Sequence, residues 1–238
     1  FAVDADALRP YFELDRVLTE GVFAAATALY GLTFAERPEL ARHLYRPGIR
    51  VFEVTGEDGA GVGLFVADLF ARPTKSGGAW MHTVRDMADA LGERPVVFTT
   101  MNVPAPAAGR PALLTLDEAT TLFHEFGHTL HAYSSNVVYP ALGGTPRDFV
   151  EYPSQVHEHW VLSRPILDGY LKNVETGQSM PQALVDKIEA AATFNQGYAT
   201  VSYLSSAIVD MDLHTQAVPP TDIDAFEKAS LARIGMPK

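Results

Sequence analysis

The chain has 238 residues, 47% of them apolar, which is enough for a core in one large domain or two small ones. Lys and Arg total 18 against 29 Asp and Glu, and the resulting formal charge of -11 repels a phosphate backbone, so nucleic acid is not an expected partner. There is no cysteine, which excludes thiol nucleophiles, disulfides and thiolate metal sites; a transition metal would have to be held by His, Asp and Glu.

No apolar run approaches the ~20 residues of a membrane-spanning helix. The opening FAVDADALRP is acidic where a signal peptide is basic, so a cytoplasmic chain with no membrane partner is the expectation. Phe1 in place of an initiator Met, and an end at Lys238 with no finishing element, suggest a processed or excised piece.

In chain order, residues 1–31 are expected to be helical. Asp4 or Asp6 can cap the start, Pro10 interrupts, and Leu14, Val17, Leu18, Val22, Ala25 and Leu29 then recur at helical spacing until Gly31. The runs IRVFEVT and VGLFVADLF, separated by GEDGAG, predict a β-hairpin of residues 49–55 with 62–70. A polar loop over 72–80 with Gly77 and Gly78 follows, then a third strand near 96–101 and a Pro-rich passage to Pro111. From Thr115 the pattern is helical: about 115 or 117 to 133, then 154–163, 181–195, 198–216 and 221–234. The fold class is therefore α+β and predominantly helical, with a small sheet region at 49–101 and a helical region at 115–238. An extended peptide could add to the edge of the strand GVGLFVADLF, with the 72–80 loop closing over it.

The segment TLFHEFGHTLH places His124, Glu125, His128 and His131 on the helix that ends near Tyr133. At ~100° per residue, His124, His128 and His131 share one stripe, and Glu125 stands about a quarter turn away. Two imidazoles one turn apart can grip one Zn²⁺, and the intervening Glu can reach a water on the metal but not the metal itself. Leu122, Phe123, Phe126 and Leu130 around them imply burial, where two unliganded imidazoles beside a carboxylate would be costly. A metzincin third His is missing, because Ser134 and His131 occupy that pattern's His and Gly positions. The remaining donors lie in DFVEYPSQVHEHW: Asp148, Glu151, His157, Glu158 and His159. On a helix, Glu151, Ser154, Gln155 and Glu158 share a face, so one carboxylate could ligate while the other hydrogen-bonds a ligand histidine. Spacing does not choose between Glu151 and Glu158.

HEFGHTLH followed by GGTPRDFVEYPSQVHEHW resembles the thimet oligopeptidase family of zinc metallopeptidases, and TPRDFVEYPSQ with EHW is most similar to its bacterial dipeptidyl carboxypeptidases. YFELDRVLTEGVF, GVGLFVADLFARPTKSGGAWM, FNQGYATVSYL and DMDLH extend the likeness over nearly the whole chain. The resemblance implies a partial catalytic domain over 1–238 with a zincin-like, mostly helical fold. It also implies one zinc ion on His124, His128 and Glu151, with Glu125 as general base. The implied activity is hydrolysis of short oligopeptides, release of C-terminal dipeptides being the leading form and internal cleavage the alternative. Glu158 and Asp148 become candidates for supporting hydrogen bonds, and His131 a neighbour of the site. The family's transition-state donors, tyrosine and histidine, follow beyond the counterpart of Lys238. The remaining segments of the same enzyme are therefore an expected partner, without which the chain would bind zinc and peptide but turn over poorly. Tyr198 and Tyr203 are read as packing residues.

Overall fold

The structure, a computed structural model, describes residues 4–237 and divides into two compact units, one of residues Asp4–Pro181 and one that includes the chain from Gln182 on. In the first unit Asp4 caps helix α1 (Ala5–Leu8), accepting from the Asp6 N–H at 3.0 Å. Pro10 sits in a 3₁₀ turn, Arg9–Tyr11, that breaks the predicted 1–31 helix; residues 1–3 of that span lie outside the described residues. The helix resumes as α2 (Leu14–Arg16), widens into a π-helical stretch, Val17–Phe23, and continues as α3 (Ala24–Tyr30), ending at Gly31 with φ 66°. Leu14, Val17, Leu18, Val22 and Ala25 are buried as their spacing predicts. Leu29 is not. The wider π turns rotate the inward face, so Ala26 is buried and Leu29 points outward.

The sheet has five strands among the described residues: β1 (Thr33–Glu36), β2 (Arg50–Thr55), β3 (Gly61–Phe70), β4 (Trp80–Arg85) and β5 (Val96–Val103), in spatial order β1-β2-β3-β5-β4, with the short helix α4 (Pro38–Ala41) between β1 and β2. The predicted hairpin is β2 antiparallel to β3, and the predicted third strand is β5, which pairs parallel to β3 from Leu64↔Val96 onward. β1 and β4 lie outside the predicted strands, being short and largely unburied on both faces, without an alternating apolar signal. The expected peptide edge on β3 is corrected by the parallel pairing of β5 along its second side. β3 is flanked by β2 and β5 and has no free edge for a peptide, as its continuously buried run Phe65–Leu69 befits an internal strand; β1 and β4 are the edges.

The loop before β4 is anchored rather than loose. Lys75 donates to the Asp68 carboxylate at 3.1 Å and to the carbonyls of Asp68 and Phe70 at 2.7 and 3.0 Å, while Asn102 Nδ2 donates to the carbonyls of Ser76 and Gly78. Asp68 also accepts two bonds from Arg72 and one from Tyr45.

Helix α5 (Leu116–Tyr133) begins at Thr115, whose hydroxyl accepts from the Glu118 N–H while Glu118 accepts from the Thr115 N–H. Phe126 pins α5 to the sheet, its ring 5.1 Å from Phe65 and 5.6 Å from Phe23, which in turn stacks on Phe34 at 4.0 Å. Two further helices follow, α6 (Glu151–Glu158) and α7 (Arg164–Tyr170). The predicted 154–163 helix thus starts three residues early, with Pro153 in its first turn. α7, with Pro165 in its first turn, lies outside the predicted helices.

The second unit holds α8 (Gln182–Ala192), α9 (Gln196–His214) and α10 (Ile223–Arg233), close to the predicted spans. Asp212 on α9 accepts from Ser230 and Arg233 of α10. Tyr198 and Tyr203, read as packing residues, are exposed within this unit: apolar side chains run around the whole of α9, and Ser205 is its only buried residue. Among the described residues no helix is long and apolar enough to cross a membrane.

Candidate metal centre

The site is assembled where α5 and α6 touch. Gly127, between His124 and His128 of α5, lets the backbones meet: a Cβ there would lie 2.6 Å from Ser154 Cα, 2.7 Å from the Pro153 carbonyl oxygen and 2.9 Å from His157 Cβ. A glycine within a helix costs about 1 kcal/mol relative to alanine, so its use here marks close approach. His157, 3% exposed, secures the contact from α6, its Nδ1–H donating to the Phe123 carbonyl at 2.9 Å and its ring lying 5.6 Å from that of Phe123.

That approach brings the first residue of α6 over the histidine pair. Glu151 Oε2 stands 3.1 Å from His124 Nε2 and 3.2 Å from His128 Nε2, and the three donor atoms lie within 4.8 Å of one another. Ligand atoms around a tetrahedral zinc with bonds of ~2.0–2.1 Å are about 3.3 Å apart, so these donors fit such an ion in type and separation. Asp148 is exposed, and His131 stands outside the three-donor group, its ring 6.4 Å from that of Phe149.

The surrounding hydrogen bonds prepare the donors. Glu158 Oε1 lies 2.6 Å from His124 Nδ1; the carboxylate accepts the Nδ1 proton, which leaves the Nε2 lone pair turned toward Glu151. Burial lowers the His128 pKa, which also favours a neutral, lone-pair-bearing imidazole. For Glu151, burial acts upward, but the Ser154 hydroxyl and the two imidazoles outweigh it and hold the carboxyl below its ordinary range.

Glu125 is 5% exposed, and its Oε2 has no hydrogen-bond partner. Burial raises its pKa to about 7, with His124 pulling it down, Glu151 pushing it up and the Met81 backbone pulling it down. A buried carboxyl with an unsatisfied oxygen, one residue along from a donor histidine, is poised to exchange a proton with something that enters the site. A cavity of about 770 Å³ opens beside the donors, lined by Met81 and Thr83 of edge strand β4 and by His128, His131 and Phe149.

Three contributors escape sequence reasoning to different degrees. Ser154 is visible only as a member of the Glu151 face. Gly127 carries a signal in being a helix-weakening residue inside a strong helical pattern. His157 is visible in the sequence only as one of the possible donors of DFVEYPSQVHEHW, because its structural role depends on which carbonyl it meets.

The sequence signature of peptidase family M3 matches residues 1–233. The chain is 42% identical over 236 residues to the dipeptidyl carboxypeptidase of Salmonella typhimurium, covering 98% of this chain and 34% of that protein. The Escherichia coli dipeptidyl carboxypeptidase is 42% identical over 240 residues, 99% of this chain and 35% of that protein, and E. coli oligopeptidase A is 36% identical over 225 residues, 92% and 33%. The chain therefore spans about a third of the length of these curated relatives. With a signature that runs over almost every residue, the donor-bearing helices included, the chain belongs to peptidase family M3.

Proposed function

We propose that this chain carries the metal centre of a zinc metallopeptidase acting on short oligopeptides, with release of C-terminal dipeptides as its leading mode. The observation that carries the reading is the placement of one carboxylate oxygen, Glu151 Oε2, within 3.2 Å of both His124 Nε2 and His128 Nε2, beside the buried and unsatisfied Glu125. His124, His128 and Glu151 would hold one zinc ion. Zinc in that position supplies Lewis acidity to a scissile carbonyl and acidifies water toward a pKa of about 7. Glu125 takes the proton of the attacking water and returns it to the leaving amine, a role suited to a carboxyl whose pKa lies near neutrality. Glu158 fixes the ring and tautomer of His124 throughout.

β4, as an edge strand with Met81 and Thr83 on the cavity, offers main-chain groups to an extended peptide, in place of the internal β3. Short peptides are the proposed substrates, and a cytoplasmic location the proposed setting. The remaining segments of a longer enzyme are the proposed partner, and the exposed apolar circumference of α9 is consistent with further protein packing on it.

The test is digestion of a blocked peptide ladder with and without added zinc, read by mass spectrometry. Zinc-dependent release of C-terminal dipeptides supports the full reading, and zinc-dependent internal cuts replace the dipeptidase mode with the endopeptidase one. Activity that survives stringent chelation overturns the metal reading. Should the chain bind zinc yet cleave only when supplemented with the other segments of the enzyme, the partner is established.

A further inference from the structure

Resting on the assignment of Glu151 as a metal ligand, we propose that Ser154 is a positioning residue that locks the Glu151 carboxylate over the histidine pair. The need for such a lock follows from where Glu151 sits. It is the first residue of α6, its side chain is 52% exposed, and a glutamate with three rotatable bonds at a helix start has solvent-facing rotamers open to it. Ser154 is one turn on, at the point where α6 touches Gly127, and is 0% exposed. Its hydroxyl lies 2.8 Å from Glu151 Oε2 and 2.9 Å from the Glu151 carbonyl oxygen.

The oxygen that meets the Ser154 hydroxyl is the same one that faces both imidazoles. A serine that merely back-bonded to its own helix would use the carbonyl alone. Here the hydroxyl also reaches the carboxylate, which draws Oε2 inward, restricts the side chain to the rotamer that faces α5 and leaves a second lone pair of Oε2 for an ion. Because Ser154 is wedged against Gly127, its own position is fixed by the helix contact and not by the carboxylate. The order needed to bind an ion with one half-exposed ligand is thus present before the ion arrives.

The experiment compares Ser154→Ala, Glu151→Ala and the double variant in the intact protein. Zinc affinity is read by chelator competition, and the visible absorption of the cobalt-substituted protein reports coordination geometry. Ser154→Ala is expected to weaken zinc about 10- to 100-fold, the range for losing a hydrogen bond to a metal ligand, and to alter the cobalt spectrum, with the metal-free melting temperature little changed. In the Glu151→Ala background the serine substitution should have no further effect on affinity, since there is no carboxylate left to position. An unchanged affinity and cobalt spectrum in Ser154→Ala, or an equal loss in both backgrounds, overturns the proposal. Those results leave Glu151 as ligand intact so long as Glu151→Ala itself loses zinc; wild-type affinity in Glu151→Ala removes the underlying assignment instead.

Discussion

Gly127 on α5 and Ser154 on α6 approach so closely that a Cβ on the glycine would sit 2.6 Å from the serine Cα, a distance that only backbone movement can relieve. Both donor-bearing helices are therefore registered through one missing methyl group. Gly127→Ala should push α6 away from α5, destabilise the protein by about 1–3 kcal/mol and weaken zinc binding, because Glu151 travels with α6. Denaturant melts with zinc titrations check it; a variant of unchanged stability and affinity would mean that the helices slide apart at no cost.

Glu158 and His124 form the shortest contact around the donors that joins the two helices, 2.6 Å. Glu158→Ala removes the group that fixes the His124 ring, and zinc affinity should fall about 10- to 100-fold with His128 and Glu151 still in place. Glu158→Gln, which keeps an acceptor oxygen, should lose less. Chelator competition measures both.

Glu125 has the opposite profile. Glu125→Gln preserves shape while removing the proton acceptor, so metal content should stay at wild-type level while peptide turnover falls at least about 10²-fold. Metal analysis with turnover of a blocked peptide, measured in whatever assembly proves active, separates the two effects. Loss of zinc in this variant would move Glu125 into the ligand set.

Two buried groups should each lower stability in acid, in separate pH ranges. Burial depresses the His157 pKa to about 4, with the hydrogen bond to Phe123 opposing it only in part, against an ordinary value near 6.5 in the unfolded chain. With respect to this group the unfolded state binds more protons between these values, so the His157 contribution is full above pH ~6.5 and lost as pH falls toward 4, by roughly 3 kcal/mol. For Asp68, burial acts upward but the bonds from Arg72, Tyr45 and Lys75 prevail and bring it to about 2. Its contribution, on the order of 2 kcal/mol, is present above pH ~3.8 and lost as pH falls through 2. Glu125, raised to about 7, binds its proton preferentially in the folded state over nearly the same range and offsets the His157 stage, so urea midpoints for the metal-free Glu125→Gln protein should show both stages, with Asp68→Asn flattening the lower one.

The parts of the fold that are legible in the sequence are those with a periodic apolar face. The β2–β3 hairpin and α5 show it, because each buries one pattern against the same Phe23, Phe65 and Phe126 cluster. β1 and β4 bury too little to leave a pattern, and the edge expected on β3 is lost because β5 pairs parallel to it, a pairing that the residues of β5 do not announce. Leu29 was legible as helical but not as outward-facing, since nothing in the side chains announces the π-helical stretch ahead of it.

At the site, the spacing of His124, Glu125 and His128 speaks for itself, whereas Glu151 and Glu158 share a helical face and cannot be ranked by spacing. What separates them is depth along the helix contact. Glu151 reaches the Nε2 side of His124 and Glu158 the Nδ1 side, a distinction set by the backbone approach at Gly127 that no residue pattern encodes.

The central claim is that one zinc ion is held by His124, His128 and Glu151. Crystals grown with zinc and measured at its absorption edge test it most directly. An anomalous peak between the Nε2 atoms of His124 and His128 and Glu151 Oε2, at about 2.0–2.2 Å from each, is the expected result. A fully zinc-equilibrated crystal with no peak there, or with zinc held by a different set of side chains, would contradict it.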